Sequence, residues 1–168
     1  MNLNTWLKTE VNPWRHNMND NKVNITINDV LHSVDAGRML IEITDELGIY
    51  IPRFCYHEKL SIAANCRMCL VEVENSSNAL PACATPVTDG MVIDTLSHST
   101  KTAQQSTMEF LLINHPLDCP ICDQGGECEL QDLAYAYGKN NSRFDLQKLT
   151  KPNDDLGPLV STDMTRCI

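Results

Sequence analysis

Aromatic residues are scarce in this chain: Phe, Trp and Tyr make up 5% of its 168 residues. Basic residues are few as well. Thirteen Lys and Arg stand against twenty-two Asp and Glu, a formal charge of −9. That balance argues against nucleic acid as a partner, because phosphate backbones are met by clustered Lys and Arg. Long apolar runs are also missing. No stretch approaches the ~18 apolar residues of a membrane span. Residues 1–21 hold Glu10, Pro13, Asp20 and many Asn, so they offer neither a secretory signal nor a basic organelle transit peptide. They read as an N-terminal extension, and Met18, just ahead of the first organised segment, reads as an alternative start.

What the chain does have is cysteine, eight of them. With no export signal, metal-bound thiolates in a reducing compartment are expected ahead of disulfides. A chain of this length buries about 70% of its unfolded surface, enough for a modest core.

The coarse pattern is α+β. Val23 to Ile27 alternates apolar and polar residues as a half-buried strand does, Asn28-Asp29 signals a turn, and Val30 to Val34 returns as a second strand. Met39, Leu40, Ile43 and Leu47 then fall at helical spacing, with Gly48 suited to the position past the helix end. Ile51 to Asn65 is a loop. Strands are expected over Leu70–Val73 and Met91–Ile93, and Leu80 to Ala84 carries Cys83. After Ser97 to Thr100 a helix is expected up to about Asn114, capped by Ser99 or Thr100, with Ala103, Thr107, Met108, Phe110, Leu111 and Leu112 turned inward. A last helix runs from Glu129 to Tyr137 and stops at Gly138. The expected domains are residues 22–98 and 99–138, followed by a polar connection over 139–168.

Two donor sets stand out. Cys55, Cys66, Cys69 and Cys83 are spaced C-x10-C-x2-C-x13-C. Four thiolates complete a ligand set for [2Fe–2S], [4Fe–4S] or zinc. The close pair Cys66 and Cys69 is expected to grip one metal from a single turn, with Cys55 and Cys83 closing the site. Ala63 and Ala64 leave room for backbone N–H groups beside an anionic centre. The second set is His115, Cys119, Cys122 and Cys128, spaced H-x3-C-x2-C-x5-C, with Gly125 and Gly126 inside it. It suits a [4Fe–4S] cluster with one histidine ligand, or a structural zinc ion. Zinc therefore stays open at both sets on spacing alone. Cys167 is left over as a free thiol, or as the first ligand of a further site.

The segments Ile51-Pro-Arg-Phe-Cys-Tyr-His, Asn65-Cys-Arg-Met-Cys-Leu-Val-Glu-Val and Glu109 to Cys128 resemble the N-terminal region of the large iron–sulfur subunit of respiratory complex I. That family comprises the large iron–sulfur subunit of bacterial NADH-quinone oxidoreductase and its mitochondrial counterpart, the 75-kDa subunit. The resemblance runs over about residues 22–168, and the His-Pro-Leu-Asp-Cys run is its most specific part. It implies a β-grasp, ferredoxin-like domain with a [2Fe–2S] cluster on Cys55, Cys66, Cys69 and Cys83. A small, mostly helical domain follows, with a [4Fe–4S] cluster on His115, Cys119, Cys122 and Cys128. Both clusters would relay single electrons from a flavin-bearing partner subunit toward quinone. Cys167 matches the opening of a further cluster motif, complete only if later ligands are supplied, so the chain reads as a truncated form. There is no Gly-rich phosphate loop for NADH or FMN. The implied place is the cytoplasmic or matrix face of an energy-transducing membrane, held there by partners. The same layout occurs in the diaphorase subunit of NAD-linked hydrogenases, in iron hydrogenases and in formate dehydrogenases, and these remain the alternative host, beside a structural zinc module.

Overall fold

The computed structural model describes residues 22–168. The readings made for residues 1–21, including a start at Met18, lie outside them.

β1 (Lys22–Ile27) and β2 (Val30–Asp35) form an antiparallel hairpin. Its turn residues Asn28 and Asp29 both take positive φ, 48° and 67°. That pairing matches the right-handed twist of a two-residue hairpin and tolerates Asn and Asp. β1 buries Val23, Ile25 and Ile27 on one face. β2 is an edge strand that leaves Val30 and Leu31 exposed. α1 (Leu40–Glu46) follows, and Gly48 takes φ +72° just past its end, where a side chain would be strained.

β3 (Leu70–Val73), β4 (Leu80–Pro81) and β5 (Val92–Asp94) complete a mixed sheet of order β2-β1-β5-β3-β4. β5 runs parallel to β1 and antiparallel to β3. One core lies between this sheet and α1, built on Ile25, Ile27, Leu40, Ile41, Ile43, Ile51, Val71 and Ile93. The fold is α+β, as the alternating patterns imply.

α2 (His98–Leu112) and α3 (Glu129–Tyr137) pack on a second core of Met68, Met108, Leu130 and Leu133. Two polar side chains on α2 tie it to the sheet. The Glu72 N–H donates to Thr100 Oγ1 at 2.9 Å, and Gln104 Nε2 donates to the Leu70 carbonyl at 3.2 Å. Two expectations for α2 fail. Its cap is Ser97, whose hydroxyl accepts from the Thr100 N–H at 3.0 Å, not Ser99 or Thr100. Thr100 is buried and donates instead to the Asp94 carbonyl. Phe110 is 74% exposed rather than turned inward, because the buried stripe runs through Thr100, Gln104 and Met108. α3 begins and ends where its composition and Gly138 indicate.

Candidate metal centres

The first donor set is assembled by the sheet. β3 and β4 pair Leu70 with Pro81, and the Ala82 N–H donates to the Cys69 carbonyl at 2.9 Å. Cys69, just before β3, and Cys83, just after β4, are thus brought to the same end of an antiparallel pair. Both are 1% exposed. The segment after Cys83 is fixed to α1 by Leu40 N–H to Thr85 O at 2.9 Å and to the residues just before α1 by Val87 N–H to Arg38 O at 2.9 Å.

Cys55 comes from the loop after α1. Arg53 anchors that loop, donating twice to Asp45 at 2.7 Å while its guanidinium lies 5.8 Å from the Tyr50 ring and 5.7 Å from the Tyr56 ring. The N–H groups of Asn65 and Cys66 both donate to Cys55 Sγ at 3.4 Å, and Met68 N–H donates to Cys66 Sγ at 3.5 Å. Ala64 and Arg67 take φ of 50° and 60°, and this left-handed backbone turns the amides toward sulfur. Such conformations are uncommon without glycine, and they mark a segment shaped for something other than its own stability.

Two thiol contacts are close, Cys55 with Cys66, whose N–H reaches Cys55 Sγ at 3.4 Å, and Cys69 with Cys83, and all four thiols are near enough to act on one another's charge. Their environments differ. Burial raises Cys66, but the N–H groups of Cys55, Met68 and Phe54 outweigh it and hold that thiol below its ordinary value. Burial holds Cys69 above its ordinary value, against a hydrogen bond from Cys83 N–H. Burial, then the neighbouring Cys69 charge, pushes Cys83 up to about 12.

The second donor set is carried by one continuous loop between α2 and α3. A 3-10 turn at Cys119–Ile121 is closed by Cys122 N–H to Cys119 O at 3.2 Å, and Gly125 N–H follows with a bond to Cys122 O at 3.0 Å. A Cβ at Gly125 would lie 2.7 Å from the Cys119 carbonyl oxygen and 3.1 Å from that of Cys122, so only glycine lets the loop close. Gly126 takes φ +89° and donates to Gln131 Oε1 at 3.0 Å. Cys128 is the residue before α3, and its sulfur makes no capping bond. His115, Cys119, Cys122 and Cys128 all line one cavity of about 200 Å³ with Leu112, Leu130 and Ala134.

Burial holds His115 below its ordinary value, so the imidazole is neutral at neutral pH, the form that ligates metals. Its buried Nδ1 has no hydrogen-bond partner. An unsatisfied buried polar atom costs about 1–3 kcal/mol.

All eight cysteines are free thiols. Among the described residues, no three His, Cys, Asp or Glu side chains converge closely enough to grip one metal ion. The first set offers two thiol pairs, and the second a ring of donors around a cavity. Both arrangements fit a group of several metal atoms. Cys167 is exposed and lines neither.

Two family models match the chain. The 2Fe-2S iron-sulfur cluster binding domain covers residues 20–98. The NADH-ubiquinone oxidoreductase-G iron-sulfur binding region covers residues 104–143. Over the matched residues the chain is similar to the iron–sulfur region of the complex I 75-kDa subunit family. It is 53% identical over 146 residues to the NADH-ubiquinone oxidoreductase 75 kDa subunit of Reclinomonas americana, covering 87% of this chain and 21% of that protein. It is 52% identical over 149 residues to the mitochondrial NADH-ubiquinone oxidoreductase 78 kDa subunit of Neurospora crassa, covering 88% and 20%. The matching NADH-quinone oxidoreductase subunit of Rickettsia felis is 52% identical over 147 residues, covering 88% and 22%. The chain thus spans about a fifth of the length of these relatives. A solved NAD+-reducing [NiFe]-hydrogenase in the H2-reduced state superposes with a TM-score of 0.78 at 29% identity, covering 87% of this chain and 62% of that one. The two cofactor classes that the resemblance implies, 2Fe-2S and 4Fe-4S, are those of the matched regions.

The candidate donors were singled out by spacing. The residues that support them were not. Ala64 and Arg67 carry no sequence signal for positive φ. Lys148 lies 33 positions after His115, yet its ammonium donates to the carbonyls of Leu112 and Ile113. Only a basic residue in an otherwise polar connection hinted at it.

Proposed function

We propose that this chain is an electron-transfer module of NADH:quinone oxidoreductase, with Cys55, Cys66, Cys69 and Cys83 holding a [2Fe–2S] cluster and His115, Cys119, Cys122 and Cys128 holding a [4Fe–4S] cluster. The observation that carries the reading is the paired arrangement of the first four thiols, Cys55 with Cys66 and Cys69 with Cys83. Two pairs serve two irons, one pair each. When bound, such clusters supply one-electron carriers.

The chain's own residues supply everything else. The amides of Asn65, Cys66 and Met68 point at sulfur and stabilise negative charge there. The sheet core shields Cys69 and Cys83 from water. His115 contributes a neutral donor in place of a thiolate, which makes the second cluster less negative and by itself raises its potential. Arg166 donates to Asp118 at 2.6 Å and so pins the C-terminal segment against the His115–Cys122 turn.

In this reading the partners are the other subunits of the complex, above all the one that binds flavin and NADH. Among the described residues no helix is long and apolar enough to cross a membrane. Attachment to the cytoplasmic or matrix face would then come through those partners. Cys167 would serve a further [4Fe–4S] cluster only with ligands supplied from elsewhere. The hydrogenase superposition favours a second host, an NAD-linked hydrogenase. Its 29% identity against 53% for the 75 kDa subunit makes it the weaker reading.

The test is reduction by a physiological donor. The anaerobically reconstituted chain, mixed with the flavin-bearing subunit of a close relative and NADH, is expected to show both reduced cluster signals by EPR. Clusters that dithionite reduces but NADH with that subunit leaves oxidised would overturn the assignment.

A further inference from the structure

The cations around the second donor set are not equivalent. Arg166 contacts Asp118 at 2.6 Å and Asp163 at 3.1 Å, so two carboxylates offset it. Arg143 pairs with Glu109 at 2.6 Å. Glu109 shares a cavity of about 320 Å³ with Lys148, but its carboxylate is taken by Arg143. Lys148 differs. Its Nζ donates to the carbonyl oxygens of Leu112 at 2.9 Å and Ile113 at 2.7 Å, and among the described residues no carboxylate lies within ion-pair distance of it. The adjoining Leu149 N–H donates to Asn114 Oδ1 at 3.0 Å. The three residues that lead directly to His115 are thus each held by this one short segment.

We propose that Lys148 is a positioning residue for the His115 donor set and sets the potential of the cluster bound there, by fixing the last carbonyls of α2 and placing an unbalanced positive charge beside His115. This rests on the reading of His115, Cys119, Cys122 and Cys128 as a [4Fe–4S] site. The carbonyls at a helix C-terminus carry partial negative charge and lack intrahelical partners, so a lysine ammonium satisfies them. Lys148 is half-buried, so its field is screened less than that of a surface charge. A positive charge stabilises the reduced, more negative form of a cluster and raises its potential.

The experiment is an EPR-monitored redox titration of the full chain reconstituted anaerobically, comparing the parent with Lys148→Met and Lys148→Arg. If the parent forms no [4Fe–4S] cluster, the donor assignment itself fails. With the parent cluster present, Lys148→Met is expected to keep cluster iron while its midpoint shifts to more negative potential, and Lys148→Arg to stay at the parental value. A methionine variant with full cluster content and parental potential would overturn the proposal. If the methionine variant loses its cluster, the arginine variant decides. Retention at the parental potential supports the role of the charge, and loss in both variants overturns it.

Discussion

The two donor sets are built on opposite plans. The first draws its thiols from three separate segments and borrows its rigidity from a sheet. Cys69 and Cys83 are members of the main core, beside Val71, Ile43 and Ile51. The second keeps all four donors within fourteen residues of one loop, half-buried or exposed, backed by two helices. A site made by a sheet is positioned by folding itself. A site made by a loop needs local devices: the close approach at Gly125, the Gly126–Gln131 bond, the Arg166–Asp118 pair and the Lys148 clamp. The plans meet in the second core, where Cys66 from one set and Cys128 from the other pack against Met68, Met108 and Leu130.

The sharpest break of the comparison is removal of one donor from each set. Cys83→Ser is expected to abolish the [2Fe–2S] signal and leave the [4Fe–4S] signal, and Cys122→Ser to do the reverse, both read by EPR of the reduced protein. Loss of both signals from either variant would show that the sites do not form independently.

Next in size is Met108→Ala. Met108 is fully buried in the core shared by both sets. Truncation there is expected to cost about 2–5 kcal/mol, measured by denaturant unfolding. Both clusters should become more labile to chelation. An effect confined to one would place the boundary between the sites closer than the packing indicates.

Gly125→Ala is smaller and local. The added Cβ meets two backbone carbonyls that cannot swing aside. A cost of about 1–3 kcal/mol is expected, as in other overpacked positions. Iron loss should come from the second site alone, followed by its optical and EPR signals.

The smallest effect concerns pH in the cluster-free chain. Cys83 is raised from an ordinary value of 9.0 to about 12. A raised folded value means that its contribution to stability is complete below about 9 and is lost as pH rises toward about 12. Cys66 is shifted the other way, so its contribution is present above its ordinary value and lost as pH falls. Thermal melts of the apo chain should therefore weaken above pH ~9, and Cys83→Ser should flatten that slope. An unchanged slope would remove Cys83 as its cause.

These contrasts also explain what the residues told in advance. The candidate donor sets were proposed from ligand spacing, while the hairpin over Asn28-Asp29 and the end of α3 at Gly138 follow from period-two alternation and turn chemistry, and both were legible. The closeness of Cys69 to Cys83 was not. Nearness in sequence made Cys66 and Cys69 look like partners, but the antiparallel register of Leu70 with Pro81 also carries Cys69 to Cys83. Phe110 misled because apolar residues cover most of one turn of α2, and burial was decided by Thr100 and Gln104 bonding β3. Lys148 was hidden because its role depends on a segment returning across the end of α2, which no local pattern announces.

The most direct test is Mössbauer spectroscopy on the full chain reconstituted with 57Fe and sulfide under anaerobic conditions. The account predicts superposed [2Fe–2S] and [4Fe–4S] spectra in equal stoichiometry, with Cys69→Ser removing only the first and Cys119→Ser only the second. A colourless protein that binds stoichiometric zinc and takes up no iron would contradict it.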